Sequence, residues 1–248
     1  MDVPKTVTAA LDDRPIDGAI CLDAGAGVGN TTAGLLASGA ARVYAVTNDR
    51  EHARTTVDRV RERLRTEERL RDEGGDRLAV LEADLRELPL PDDSIDVVTA
   101  HGLFNVVPPA DLGAIVEELT RVARRGGHLV VDDYEPLPDD AAVRDLFAAE
   151  NAAAELAAGR PMLSFYPSDV LRRLCEGYGW AFDRRLTLLA PVPWTGAHLE
   201  AHAAVVRSNA SELPPELGDP LIARAERLAE SIGEESVGEM YSLAMALE

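Results

Sequence analysis

The apolar positions of this chain fall into short runs separated by longer amphipathic or polar stretches. Residues 18–23, 42–47, 78–82, 95–100 and 128–132 are each dominated by apolar side chains, with little alternation. Such runs predict strands buried on both faces of a sheet. Thr31 to Ser38 reads as a helix ending at Gly39, because glycine is common just past a helix end. Asn48 or Asp49 then caps a long charged helix to about Asp72, which Gly74-Gly75 breaks. Pro89, Pro91 and Asp92-Asp93-Ser94 mark a loop, Pro109 to Arg124 another helix, and Gly126-Gly127 a turn. Strands alternating with helices predict βαβ units. The expected fold is α/β, Rossmann-like and doubly wound, with a mostly parallel seven-stranded sheet and helices on both faces.

The pattern changes after Asp133. Pro136 and Pro138 interrupt the chain, and an alanine-rich helix follows from Asp140 to Ala158. Pro167 to Tyr178 reads as a further helix with Ser168 as its cap. Trp180–Leu189 and Leu199–Val206 are expected as the last two strands, an antiparallel hairpin at the sheet edge. Residues 214–248 are expected as one or two outer helices. This divides the chain into an N-terminal segment (1–17) able to cover the site, a central domain (18–206) with a lid at about 134–166, and a helical extension (207–248).

Composition narrows the classes. In 248 residues, 46% hydrophobic content suffices for a packed core. No apolar run reaches the ~18 residues of a membrane span, and no secretory signal opens the chain. The two cysteines, Cys21 and Cys175, fit neither a disulfide framework nor a metal site, and read as small buried residues of a cytoplasmic protein. The net charge of −19 argues against a nucleic-acid partner, which needs a basic stripe. The arginines from Arg59 to Arg71 alternate with glutamates and read as a solvated helix face. So acidic a balance, with Lys5 the one lysine, is also that of proteins from salt-loving microbes.

The chemistry concentrates at Cys21-Leu-Asp-Ala-Gly-Ala-Gly-Val-Gly29, followed by Asn30-Thr31-Thr32. Glycines where a strand gives way to a helix let backbone N–H groups approach a ligand closely. The acid before them, Asp23, would repel a pyrophosphate but favour an amine-bearing ligand. A dinucleotide fingerprint would require a third glycine at position 30, which is Asn30. Ligands of open α/β sheets sit at the carboxyl ends of the strands. There strand two delivers Thr47, Asn48 and Asp49, strand three Asp84 and Leu85, strand four His101 to Phe104, and strand five Asp132, Asp133 and Tyr134.

Three segments in order resemble the class I S-adenosylmethionine-dependent methyltransferases: Leu22 to Gly29; Glu82-Ala-Asp84 with Leu88 to Val98; and Leu119 to Val131 with its Gly-Gly pair. The overall pattern is similar to the branch that methylates quinone precursors and other metabolites. The resemblance implies S-adenosylmethionine as cofactor, held by Asp23, Ala24, Gly25, Ala26, Gly27 and Asn30. It implies an adenine contact at Asp84 and Leu85, and a further cofactor contact at His101. Where the family usually carries a ribose-binding acid, this chain has Thr47, with Asn48 and Asp49 the nearest substitutes. His101 is the candidate general base, since imidazole titrates near neutrality. His52 is open to a contact at the cofactor edge, and His128 reads as structural. Phe104, Tyr134 and Tyr166 are candidates for the acceptor pocket. The base-methylating signature Asn/Asp-Pro-Pro-Tyr is absent after strand four, which favours a small-molecule acceptor. No metal site is expected, and the chain is expected to be a monomer or homodimer. A binding module without catalysis, and a protein or RNA methyltransferase, remain the competing readings.

Overall fold

The computed structural model describes residues 3–48, 50, 53–58, 60 and 77–248. Asp49, His52 and most of the charged stretch to Asp72 lie outside the described residues. The central sheet has seven strands in the order β3-β2-β1-β4-β5-β9-β6. These are β1 (Ile20–Ala24), β2 (Arg42–Thr47), β3 (Leu78–Glu82), β4 (Ile95–His101), β5 (Ala123–Tyr134), β6 (Trp180–Leu189) and β9 (Met240–Leu247). The first five strands are parallel, and β9 runs antiparallel to both β5 and β6. The order turns back on either side of β1 and β4, which makes their carboxyl ends the natural ligand crevice.

Successive strand residues point to opposite faces, and the core divides accordingly. Cys21, Val43 and Val97 face one side and pack with α1 (Lys5–Leu11) and α2 (Asn30–Ala37). Leu22, Val46 and Val98 face the other and pack under α3 (Leu112–Val122) and α5 (Ser168–Glu176). Both faces being covered explains the unbroken apolar runs. The Gly126-Gly127 turn proves to be an irregularity inside a longer strand. Ile95 pairs with Ala123 but Val97 with His128, so β5 carries extra residues there.

Two expectations for the C-terminal part fail. Leu199–Val206 is helical, inside α6 (Gly196–Ala210). Thr195 caps it, accepting from the His198 N–H, and Leu199, Ala203, Val206 and Ala210 form one buried stripe. That three-to-four spacing is a helix period. The seventh strand is instead β9, in the stretch expected to be helical. Its Leu, Ala and Met residues favour a helix intrinsically. Burial between β5 and β6, with Met240 to Met245 all buried, overrides that preference. Residues 215–232 do form an expected helix, but Met240–Leu247 returns to fill the sheet.

Both segments that leave this end of the sheet do so at the same edge, since Tyr134 and Leu189 each pair with Met240. The first insertion, after β5, holds α4 (Val143–Ala158). The second, between β6 and β9, holds β7 (Pro193–Trp194), α6, α7 (Pro215–Ile232) and β8 (Glu235–Ser236). Together they build a helical cap with its own hydrophobic core around Phe147, Trp194, Leu199 and Ala225. Residues of the stretch 134–166 supply the first part of this cap.

Candidate active site

The glycine loop leaves β1 at Ala24, which is buried. Gly25 takes φ +74°, and a Cβ there would stand 2.8 Å from the Leu103 side chain. Glycine is thus required twice over, for conformation and for space. Two anchors fix the loop: the Ala26 N–H donates to the Val46 carbonyl at 2.9 Å, and the Thr56 hydroxyl donates to the Gly27 carbonyl at 2.9 Å. Asn30 is the first residue of α2. Asp23 sits beneath the loop, 1% exposed. Its carboxylate accepts from the Thr32 hydroxyl at 2.6 Å and the Thr99 hydroxyl at 3.2 Å. Burial pushes its pKa up, while the Thr32 hydrogen bond, the His101 charge and Thr99 pull the other way. Both threonines were missed in the sequence, where nothing distinguishes them from packing residues.

Thr47 ends β2 and is buried; Asn48 beyond it is exposed. Asp84 lies exposed after β3, clamped by Arg86, whose Nε and Nη2 donate at 3.0 and 2.7 Å. That hydrogen bonding holds the Asp84 carboxyl below the usual range. Arg86 also reaches Asp111 at 3.0 Å, ahead of α3. Leu85 packs against the core between them.

His101 ends β4, half-buried. Its Nδ1 lies 2.9 Å from Asp132 Oδ2 on β5. Burial alone would lower the imidazole pKa; the Asp132 hydrogen bond, with the charges of Asp132, Asp23 and Asp133, outweighs it and raises it. The strand parity that puts Cys21 and Val97 on the α2 face puts Asp23, Thr99 and His101 there too. The neighbouring acid, Asp133, points the opposite way. Its carboxylate accepts from the backbone N–H groups of Asn105 at 3.0 Å and Tyr134 at 2.9 Å, which holds the short 3-10 turn Phe104–Val106 in place. Burial raises its pKa to about 7 against those hydrogen bonds.

Of the expected pocket residues, Phe104 is wholly buried in the main core and lines no open surface. Its apolar ring fills the space under the turn. Tyr166 donates its hydroxyl to the Val107 carbonyl at 2.8 Å. Tyr134 enters the cap, with ring centroids 5.6 Å from Trp194 and 6.4 Å from Phe165. His202, on α6, meets the buried Glu150 of α4 at 2.7 Å. His128 lies at the far end of β5, 3.4 Å from the Arg14 guanidinium. Among the described residues no group of acids, histidines or cysteines could hold a metal.

Residues 22–131 match the methyltransferase domain family. Over 125 residues the chain is 36% identical to a demethylmenaquinone methyltransferase of Clavibacter sepedonicus, covering 50% of this chain and 44% of that one. Over 51 residues it is 41% identical to a phosphatidylethanolamine N-methyltransferase of Cereibacter sphaeroides, covering 21% and 24%. The chain thus spans less than half the length of these curated relatives. Among solved structures, the YcgJ protein of Bacillus subtilis superposes with a TM-score of 0.64 at 15% identity, covering 98% of each chain. Geranyl diphosphate C-methyltransferase of Streptomyces coelicolor, a complex with S-adenosyl-L-homocysteine, gives 0.60 at 15% identity, covering 98% of this chain and 76% of that one. At such identities the likeness is one of fold. The matched segment carries the glycine loop, Asp84 and His101, with Asp132 the next residue beyond it: residues 22–131 of this chain match a methyltransferase domain, on a sheet of the same fold.

Proposed function

We propose that this chain transfers a methyl group from S-adenosylmethionine to a small-molecule acceptor bound beneath the cap. One observation carries the reading: at the carboxyl edge, a Cβ added at Gly102 would meet nothing within 4 Å, and one added at Gly27 would meet only the Gly25 carbonyl oxygen at 3.9 Å. The backbone there forms a cradle, edged by acids. That fits a cofactor with an amine, a sulfonium and no phosphate, which buried carboxylates attract.

The bound cofactor would supply a methyl group on a positively charged sulfur, with a neutral thioether as leaving group. The chain's own task is then alignment and exclusion of water. Gly25 to Gly27 present backbone to the methionine portion, and Asp23, tied by Thr32 and Thr99, sets the field below the loop. Asp84 and Leu85 meet the adenine, with Arg86 orienting the carboxylate. Thr47 and Asn48 flank the ribose, where Asp49 is the remaining candidate. The cap, from Tyr134 onward, closes over the acceptor. The two relatives' named substrates, a quinone precursor and a lipid headgroup, support a metabolite rather than a macromolecule. No described helix is long and apolar enough to cross a membrane, and both cysteines are free and buried, which suits a cytoplasmic enzyme.

Isothermal titration tests the cofactor. S-adenosylmethionine and S-adenosylhomocysteine should bind at micromolar concentration, and NAD should not. No heat with either sulfur compound would sink the proposal. Release of S-adenosylhomocysteine on adding a small-molecule cell extract tests turnover.

A further inference from the structure

The pair formed by His101 and Asp132 is more than a contact between strand ends. Asp132 is 2% exposed, and its Oδ1 is buried with no hydrogen-bond partner among the described residues. A buried carboxylate left half-satisfied is costly. Among the described residues the carboxylate's one partner is the His101 ring. A carboxylate accepts only, so Nδ1 must carry the proton. That fixes the neutral tautomer with its lone pair on Nε2. Nε2 has no partner among the described residues, and 23% of the side chain stays open. The residue after it, Gly102, borders the cradle.

We infer that His101 is a general base aligned by Asp132, and that the acceptor is therefore a hydroxyl, phenolic or enolic, methylated on oxygen. This rests on the methyltransferase reading above. A neutral amine attacks through its lone pair before losing a proton, and a thiol ionises readily by itself. A hydroxyl is a weak nucleophile until its proton leaves, so it alone of the three needs such a base. The step balances: the O–H proton moves to His101 Nε2, the oxygen electron pair forms the new bond to the methyl carbon, and the broken sulfur–methyl bond returns its pair to sulfur. Nε2 then gives its proton to solvent. Asp132 is a positioning residue: it orients the ring and supports the imidazolium that forms.

Methyl-13C-labelled S-adenosylmethionine and a small-molecule cell extract, supplemented with simple phenols, test the acceptor. The carbon shift of the transferred methyl reads the atom it has joined. Label on oxygen supports the inference. Label on nitrogen, sulfur or carbon overturns it and leaves the methyltransferase reading standing. Failure to bind the cofactor would undo that reading instead, and bound cofactor with no label transferred to any fraction counts against both.

Two variants test the pair. Asp132→Asn should lower kcat by about 10²-fold or more, with cofactor affinity within about twofold. The acid limb of its pH profile should move to lower pH, because Asp132 supports the imidazolium and only Asp23 and Asp133 then remain to do so. His101→Gln should cost as much, and the double variant little more than either. Histidine-selective 15N spectra need no acceptor. They should show the Nδ1–H tautomer and a raised His101 pKa in the parent, falling in Asp132→Asn. Titration unchanged by Asp132→Asn would overturn the assignment even if folding is disturbed elsewhere.

Discussion

The carboxyl edge of the sheet buries a row of acids, while the cap above it buries mainly rings, with Glu150 against His202 as its buried acid. Along the edge, Asp23, Asp132 and Asp133 are each almost wholly enclosed. Each is held by a few directed donors: hydroxyls at Asp23, an imidazole at Asp132, backbone N–H groups at Asp133. In the cap, Phe147 lies 5.5 Å from Phe165 and 5.1 Å from Trp194, with Leu199 and Ala203 behind them. Directed bonds to buried carboxylates allow one geometry. Apolar packing tolerates volume-conserving exchange. On the function proposed above, the first suits the cofactor and the second the acceptor.

The largest test falls on the cap. Trp194→Ala should cost about 4 kcal/mol of stability, through lost burial and an unfilled cavity. Chemical denaturation would measure it. If cap and edge are separable, cofactor affinity should survive; a parallel loss would show them to be one unit.

The edge should answer to pH instead. The Asp133 carboxyl rises from its model-compound value of 3.8 to about 7, mainly through burial. The native state then holds a proton that the unfolded chain has released, so stability falls as pH rises through that window. Between pH 4 and pH 7 the loss is about 3 kcal/mol. Asp133→Asn should flatten that limb of the stability curve. A curve of unchanged slope would remove the burial argument at this residue.

Gly25→Ala comes next. Its φ of +74° and the Leu103 side chain 2.8 Å away should cost about 2 kcal/mol and at least tenfold in cofactor affinity. Melting and titration on the same sample would separate the two effects. Arg207→Ala in the cap, breaking exposed pairs to Glu200 and Glu226, should cost about 0.5 kcal/mol, less in high salt. A larger effect would mean that the cap relies on directed contacts at its surface as well as at Glu150.

The same division governs what could be read in the sequence. The strands of the edge were legible because burial on both faces leaves continuous apolar runs, and because Asp23 and its glycines keep fixed spacing. The residues that hold those acids were not. Thr32 and Thr99 come from separate elements, and their meeting at Asp23 depends on the sheet register. Asp132 and Asp133 were visible as adjacent acids at a strand end, but strand parity gives them opposite partners. The cap was half visible. Its first segment follows β5 directly, whereas its second requires β9 to return from the chain's last stretch. β9 was unreadable locally because Leu, Ala and Met suit a helix better than a strand. Only the slot between β5 and β6 makes it one.

That slot also sets an order of events during synthesis. β6 pairs with β9, yet residues 190–239 must be made between them. Until the final strand emerges from the ribosome, β6 lacks its neighbour, and the far side of β5 stays open. Sequence-distant pairing of this kind slows folding and exposes strand edges to unwanted partners. Residues 190–239 include α6 and α7, which can form as local helices while the sheet waits. The parts of the cap would then take shape before the floor beneath them is finished.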